Sequence, residues 1–184
     1  AFAVPSGLTA TTLPFLALLR SGDHVLVTDA VYGPTRRFCD IHLPRLGIEV
    51  GYYDPLAGSA IEREFRNNTK LVFTESPGSL TFEVQDISAI ARVAHARGAH
   101  VLLDNTWATP LGFRAFDHGV DQVVRQCALA RHQDLGGGAV GPHATQAVMA
   151  FARTQPGRDE LHRRLSRTPG RRRTASSRSR ARRR

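Results

Sequence analysis

An apolar run that ends on a carboxylate, "LLDNTWATP" at residues 102–110, is the first feature that could do chemistry. Val101, Leu102 and Leu103 are typical of a strand that is buried on both faces, as strands of parallel sheets are. The last residue of such a strand lies at the carboxyl edge of the sheet, where α/β proteins bind their ligands. We therefore expect Asp104 to face a ligand site, and its negative charge favours a cationic partner.

Two further segments carry residues that could contact a ligand. Ser6 and Gly7 start a helical pattern, where unpaired amide groups and the helix dipole favour an anion such as a phosphate. Taken alone, Ser6 is better explained as an ordinary helix cap beside Pro5. Tyr32, in "DAVYGPT", follows a predicted strand and could lay its ring on a flat ligand. Taken alone, it too has a simpler explanation, as a half-buried aromatic side chain at a helix start.

The elements that must position these residues alternate between strand and helix patterns. The predicted strands are "HVLVTD" (24–29), "IEVGYY" (48–53), "KLVFTES" (70–76) and "HVLLD" (100–104). The predicted helices are "PSGLTATTLPFLALLRSG" (5–22), "YGPTRRFCDIHLPRLG" (32–47), "SAIEREFRN" (59–67) and "DISAIARVAHARG" (86–98). Asp86 is the expected cap of the last helix. This alternation predicts a parallel sheet with helices on both faces.

The basic character of the chain is concentrated at its end. The formal net charge of the 184 residues is +9, but residues 151–184 hold 13 Arg against two acidic side chains, and residues 1–150 have a net charge of −2. No strand with clear edges is predicted from residue 122 onward. The Arg/Ser composition of residues 165–184 predicts disorder, because such a segment buries too little apolar surface to offset its ordering entropy.

Length and composition narrow the class of protein. A chain of 184 residues with 41% hydrophobic content predicts a single domain. Cys39 and Cys127 are too few for a disulfide framework and favour a reducing cytoplasm. No apolar run has transmembrane length, and the eight His show no metal-ligand spacing, so we expect neither a membrane span nor a metal site. The start "AFAVPSGLTA" has no initiator Met, which indicates an internal fragment.

Several motifs stand in collinear order over residues 1–121. They are "PSGLTA" (5–10), "GDHVLVTDAVYGPTRRF" (22–38), "ESPGSLTFEVQDI" (75–87), "VLLDNTWATPLGF" (101–113) and "FDHGVD" (116–121). Together they resemble the pyridoxal-phosphate-dependent enzymes of Cys/Met metabolism, and "ESPGSLTFEVQD" and "DNTWATP" are closer to the β-lyase branch than to the γ-lyases or γ-synthases. The resemblance implies a three-layer, mostly parallel α/β sheet, the large domain of a fold-type-I pyridoxal-phosphate enzyme, here truncated.

The resemblance also implies a cofactor, pyridoxal 5′-phosphate, and a role for each site residue. The implied cofactor-binding residues are Ser6, Gly7, Leu8, Tyr32, Asp104 and Thr106. Asp104 would pair with the protonated pyridine nitrogen, which keeps the ring an electron sink. Tyr32 would stack on the ring, and the backbone turn that begins at Ser6 would hold the phosphate.

The implied activity is β-elimination at the carbon–sulfur bond of an amino-acid thioether such as cystathionine, as in transsulfuration and methionine biosynthesis. Homo-oligomers are the rule in the intact family, and the implied location is the cytoplasm. The resemblance does not separate cystathionine from cysteine or other thioethers.

The chain departs from the family pattern at the catalytic centre. After "FDHGVD" the family continues into a Thr-Lys-Tyr motif whose Lys forms the Schiff base, but residues 122–138, "QVVRQCALARHQDLGGG", contain no Lys. Lys70 is the only Lys of the 184 residues, and it opens a strand far from the predicted cofactor side. We therefore assign no catalytic residue. The chain divides into a partial cofactor-binding domain (1–121), a non-family-like segment (122–164) and an Arg/Ser tail (165–184).

The departure suggests a shifted reading frame, since with suitable codons for residues 131–134 a displaced frame could read Gly-Thr-Lys. A degenerate paralogue that lost its Lys by substitution is the alternative. Two other functions compete with a lyase fragment. A nucleic-acid-binding protein could use the Arg tail to neutralise phosphates. A nicotinamide-dependent dehydrogenase could use "GGGAVG" (136–141), but that motif lacks a preceding strand and a following helix.

Overall fold

The computed structural model describes residues 2–128 and 146–152, which form a seven-stranded sheet with helices on both faces. The strands are β1 (Phe2–Val4), β2 (His24–Thr28), β3 (Glu49–Tyr53), β4 (Thr69–Glu75), β5 (His100–Asp104), β6 (Gln122–Ala128) and β7 (Gln146–Ala152). The helices are α1 (Gly7–Leu18), α2 (Gly33–Arg45), α3 (Ile87–Ala96) and α4 (Thr109–Gly112), with 3₁₀ segments at Gly58–Glu64 and Ala115–His118.

Five neighbouring strands of the sheet are parallel. The strand order is β1-β7-β6-β5-β4-β2-β3, and every pair from β6 to β3 is parallel. The strands β7 and β1 extend the sheet in antiparallel fashion. The chain proceeds from β2 outward to β3 and then returns to place β4 on the other side of β2, so the strand order reverses between β2 and β4. Parallel α/β sheets bind ligands at the carboxyl end of such a switch point.

Alternating side chains of the central strands build one core on each face. On the face of the sheet that α3 covers, Leu26, Val72 and Val101 pack against Ile90 and Ala94 of that helix. On the opposite face, the neighbouring strand residues pack with α1 and α2. These residues are Val25, Val27, Leu71, Phe73 and Leu102, and their helix partners include Phe15, Cys39 and Leu43. Apolar side chains on both faces explain why the strands appear in the sequence as unbroken apolar runs.

Side-chain caps fix where two of the helices begin. The Ser6 hydroxyl accepts the amide hydrogen of Thr9 at 3.1 Å and caps α1. The Asp86 carboxylate accepts the amide hydrogen of Ala89 at 2.9 Å and caps α3, as the sequence predicted. Each cap satisfies one of the amide groups that a helix start leaves without an internal partner.

Most predicted elements are confirmed, and two predictions are wrong. All four predicted strands are present, and three of the four predicted helices are α-helices. The segment predicted as a helix at 59–67 forms a 3₁₀ segment at Gly58–Glu64, which ends before Phe65 and Arg66. Strands were not expected after residue 121, yet β6 pairs with β5 and β7 pairs with β6. β6 thus joins the parallel part of the sheet, and β7 pairs with it in antiparallel fashion.

Some predictions fall on residues 129–145 and 153–184, outside the described residues. They concern the Gly-rich motif at 136–141 and the expected disorder of residues 165–184, and both stay predictions.

In the described part of the chain, no helix combines the length and apolar character that crossing a membrane requires. Nor do three His, Cys, Asp or Glu side chains of that part come together as metal ligands.

Candidate functional site

A cavity of about 270 Å³ lies at the carboxyl edge of the sheet, beside the start of α1. Its lining residues are Ser6, Gly7, Leu8, Thr11, Tyr32, Pro34, Asp104, Thr106, Val124 and Arg125. All six residues that the sequence singled out for cofactor binding are therefore brought to one pocket, although they come from segments up to 100 residues apart. The cavity is near the lower end of the size range for small-molecule sites.

Asp104 ends β5 and carries a carboxylate with one oxygen engaged. Its Oδ1 accepts hydrogen bonds from the Thr106 amide at 2.9 Å and the Thr106 hydroxyl at 2.6 Å. In the described part of the chain, no hydrogen bond to its Oδ2 is present. Burial raises the pKa of Asp104, while the two bonds from Thr106 lower it. A desolvated carboxylate with a spare oxygen gains free energy from a cation that donates a hydrogen bond.

Thr106 lines the pocket, and its hydroxyl bonds to Asp104. Its two hydrogen bonds to Oδ1 orient the carboxylate of Asp104. The backbone and side-chain bonds from one residue hold Oδ1 from the same side, so the carboxylate has a defined direction.

The start of α1 offers amide groups to an anion. Ser6 is the cap, and Gly7 and Leu8 are the first two residues of a 12-residue helix. Their N–H groups have no acceptor within the helix, because a helix start leaves its first amides unpaired. The helix dipole adds partial positive charge at the same place. The lining of the pocket thus includes an anion-binding helix start as well as the carboxylate of Asp104.

Tyr32 immediately precedes α2 and presents its aromatic ring at the pocket. Its side chain is 51% exposed, so a large part of the ring is open to a ligand. Its amide donates a hydrogen bond to the Glu75 carboxylate at 2.9 Å. A half-open ring with a fixed backbone can take a flat ligand without rearrangement.

Two residues near the site were missed from the sequence. Glu75 ends β4, is 4% exposed and pairs in register with Asp104. Burial raises the pKa of Glu75 to about 7, with the nearby Asp104 adding to the effect. The signal was present, because "KLVFTE" is an apolar run that ends on a carboxylate just as "VLLD" is. Arg125 was missed because it lies on β6, where no strand was expected.

Arg125 is a cationic residue in the lining of the pocket, and its buried Nε has no hydrogen-bond partner among the residues that the structure describes. Lys70, by contrast, is the second residue of β4 and is exposed at the amino end of the sheet. At about 3.3 Å per residue, it lies about 16 Å along the strand from Glu75 at the carboxyl end. Lys70 therefore lies at the end of the sheet away from Asp104, far from the predicted cofactor side.

Comparison with known proteins identifies the family. The family model described as Cys/Met metabolism PLP-dependent enzyme matches residues 1–158. The chain belongs to this family. The match extends past residue 121, where the collinear motifs end, and it includes both β6 and β7. The division of the chain at residue 121 and the shifted reading frame stay predictions.

Relatives within the family span much longer chains. A putative cystathionine β-lyase of Rhizobium johnstonii is 57% identical over 143 residues, which are 77% of this chain and 36% of that protein. The cystathionine β-lyase MetC of Escherichia coli is 40% identical over 134 residues, which are 71% of this chain and 34% of that protein. The chain therefore spans about a third of the length of these relatives.

Solved structures confirm the predicted fold class. The cystathionine γ-lyase of Lactobacillus plantarum, solved with L-serine, superposes with a TM-score of 0.71 at 30% identity. The alignment covers 83% of this chain and 38% of that one. The fold is accordingly that of the large domain of fold-type-I pyridoxal-phosphate enzymes, present here in part.

The pocket residues fit the cofactor that the family uses. Asp104 has an oxygen available for a protonated ring nitrogen, the start of α1 suits a phosphate, and Tyr32 offers an open aromatic face. These three features match the three chemical parts of pyridoxal phosphate: its pyridinium, its phosphate and its flat ring.

Proposed function

We propose that this chain forms much of the cofactor site of a pyridoxal-phosphate-dependent carbon–sulfur lyase of the cystathionine β-lyase type. The observation that carries the proposal is the meeting of Asp104, Tyr32 and the start of α1 around one cavity. These groups are an anion, an aromatic ring and an anion-binding helix end. Their combination matches a ligand that is cationic, flat and phosphorylated.

Each residue has a defined task in this proposal. The amides of Gly7 and Leu8 and the cap of Ser6 hold the phosphate at the start of α1. Tyr32 would contact the ring, and Thr106, which bonds to Oδ1, would leave Oδ2 of Asp104 to accept the hydrogen of the ring nitrogen. When bound, the cofactor supplies an electron sink for charge that develops at the substrate Cα. Asp104 sustains that sink by keeping the nitrogen protonated.

The proposed substrate class is an amino-acid thioether such as cystathionine. The motifs "ESPGSLTFEVQD" and "DNTWATP", together with relatives named cystathionine β-lyase, favour β-elimination over γ-elimination. The intact enzyme is proposed to be a cytoplasmic homo-oligomer, as the family pattern implies.

The 184-residue chain by itself is proposed to bind the cofactor without covalent attachment and without turnover. Lys70 is its only Lys and lies at the opposite edge of the sheet. Covalent attachment and movement of the Cα proton both require an amine beside the reacting atoms. The pocket retains the groups that hold the cofactor and lacks that amine.

Calorimetric titration tests the cofactor site. The probe is 4-deoxypyridoxine 5-phosphate, which has the ring and the phosphate but no aldehyde to react with Lys70 or the N-terminus. We expect the wild-type chain to bind this probe. Asp104→Asn should lower the affinity at least about ten-fold, because one charge-assisted hydrogen bond is worth roughly 1.5–3 kcal/mol. Asp54→Asn, a change of the same kind at an exposed loop carboxylate, is the control. Equal binding by both variants would overturn the assignment of Asp104.

Activity assays test the rest of the proposal. Borohydride treatment of the 184-residue chain with pyridoxal phosphate is expected to trap no adduct at the pocket, and cystathionine is expected to release negligible pyruvate. A chain with the reading frame restored after residue 121 and the remaining domain present should form a trappable adduct and release pyruvate from cystathionine. Pyruvate release by the 184-residue chain at rates of about 1 s⁻¹ or more, which are ordinary for enzymes, would contradict the proposal.

A further inference from the structure

Glu75 lies where the strand order reverses, and its side chain bridges two loops. Its Oε2 accepts the amide hydrogen of Tyr32 at 2.9 Å, and its Oε1 accepts the hydroxyl hydrogen of Ser79 at 2.5 Å. Tyr32 belongs to the loop between β2 and α2, whereas Ser79 belongs to the loop after β4. One buried carboxylate therefore joins the loop that carries the aromatic ring to the neighbouring loop.

The two loops are also in direct contact. The Ser79 amide donates to the Ala30 carbonyl oxygen at 2.8 Å. A Cβ at Gly78 would lie 2.6 Å from the Ala30 Cβ, so only glycine permits this approach. The loop after β4 thus packs directly against the loop of Tyr32, and the Glu75 side chain bonds to both.

A buried hydrogen-bond network fixes the position of Glu75 itself. The Gln85 side-chain amide donates to the Glu75 carbonyl oxygen at 2.8 Å and to the Thr28 hydroxyl at 2.9 Å. The Tyr53 hydroxyl in turn donates to the side-chain oxygen of Gln85 at 2.9 Å. Satisfied buried networks of this kind are rigid. The backbone of Glu75, from which the carboxylate projects, is therefore held at a defined place relative to β2 and β4.

We propose that Glu75 is a positioning residue that fixes Tyr32 in the orientation that stacks on the cofactor ring. This inference rests on the proposed function. Tyr32 is half exposed, and its side chain makes no capping hydrogen bond to α2. The hydrogen bond from its backbone N–H to Glu75 is therefore a main restraint on the position of Tyr32. Burial of the Glu75 carboxylate is unfavourable and raises its pKa to about 7. Its two hydrogen bonds, from Tyr32 and Ser79, offset part of this cost.

Hydrogen exchange without any ligand tests the restraint. In Glu75→Ala, the amide of Tyr32 should exchange about ten-fold faster than in wild type, because it loses its acceptor. Glu75→Gln should restore slow exchange, since its amide oxygen can accept from Tyr32 and its NH₂ can donate to Ser79. Glu83→Ala removes a carboxylate that accepts from Thr81 in the same loop and should leave Tyr32 unchanged. Unaltered exchange in Glu75→Ala, or equal acceleration in Glu83→Ala, would overturn the proposal.

Binding of two probes tests the consequence for the site. Glu75→Ala should weaken 4-deoxypyridoxine 5-phosphate about ten-fold and leave inorganic phosphate, which needs only the start of α1, unchanged. Glu75→Gln should bind both probes as wild type does. Equal weakening of both probes in Glu75→Ala would indicate general damage and overturn the positioning role. If wild type bound neither probe, the proposed function would fail, while the exchange comparison would still confirm or overturn the restraint on Tyr32.

Discussion

At its amino end β5 lies against Asp121, and at its carboxyl end it finishes on Asp104. Oδ2 of Asp121 accepts the Val101 amide hydrogen at 2.8 Å and lies 2.9 Å from Nε2 of His95. His100 approaches the same oxygen at 3.8 Å. Asp104 receives hydrogen bonds from Thr106 alone in the described part of the chain, and both reach Oδ1.

The difference separates a structural carboxylate from one that is prepared for a ligand. Asp121 connects α3, β5 and the start of β6, so its charge is compensated by groups that belong to the fold. Asp104 bears a burial cost and faces a cavity, and in the described part of the chain no ion pair to it is present. The two Asp residues at opposite ends of β5 thus act in different ways, because only the amino end supplies imidazole partners.

The largest expected effect comes from replacing Asp121 or Asp104 by Ala and comparing the free energy of unfolding and the affinity for the probe. Asp121→Ala should lower the free energy of unfolding by about 2–3 kcal/mol, since the Val101 amide and His95 lose their buried acceptor. Asp104→Ala should lower it by less than about 1 kcal/mol, because a desolvated carboxylate is removed with its bonds. Urea unfolding measures both values. Probe binding should show the reverse order, with Asp104→Ala losing affinity and Asp121→Ala keeping it, and a shared pattern would break the comparison.

The carboxyl end should also give the fold a characteristic pH dependence. The folded-state pKa of Glu75, about 7, is above its ordinary value of 4.5, so the folded chain holds this proton more tightly than the unfolded chain. Stability from this group is complete below pH 4.5 and is lost as the pH rises to about 7, by about 1–3 kcal/mol. Glu75→Gln should reduce this pH-dependent loss of unfolding free energy, whereas Glu83→Gln should leave it unchanged. Urea unfolding at pH 5 and pH 8 measures it, and a fall of the same size in Glu75→Gln would contradict the assignment.

Two helix caps offer a matched pair of smaller effects. Ser6→Ala and Asp86→Ala should each cost about 1 kcal/mol of unfolding free energy, because each removes an N-cap hydrogen bond. Ser6→Ala should in addition weaken binding of inorganic phosphate and of 4-deoxypyridoxine 5-phosphate, whereas Asp86→Ala should not. Thermal unfolding and calorimetry give the two readouts. Equal phosphate affinity in the two variants would remove α1 from the proposed site.

The smallest expected effect concerns the orientation of Asp104. Thr106→Val keeps the shape of the side chain and the backbone bond but removes the hydroxyl bond to Oδ1. Affinity for 4-deoxypyridoxine 5-phosphate should fall about two- to five-fold, as the loss of roughly 0.5–1 kcal/mol implies. Thr81→Val, which removes an exposed hydroxyl in the loop after β4, is the control. Wild-type affinity in Thr106→Val would leave Thr106 without a role in directing the carboxylate.

Sequence patterns were most informative where the local signal was strong. Buried parallel strands need apolar residues on both faces, so β2, β4 and β5 appeared as unbroken apolar runs. The cap at Asp86 and the carboxylate at Asp104 followed from their positions at element ends. By contrast, β6 has only Val123 and Val124 as an apolar centre, and it was not predicted. Glu75 was overlooked for a different reason, because its partners Tyr32 and Ser79 are distant or unremarkable in the sequence.

The sequence by itself determined the family, the β-α order and the types of residue at the ends of the strands. These properties depend on local periodicity, on element-end chemistry and on motif order, all of which are written along one dimension. Only the tertiary structure decided which strand ends meet. It brought Ser6, Tyr32 and Asp104 around one cavity, hydrogen-bonded Glu75 to the amide of Tyr32, and left Lys70 at the amino end of β4. Strand order and burial arise from long-range packing, and they determine which charges have partners inside the fold and which remain available to a ligand.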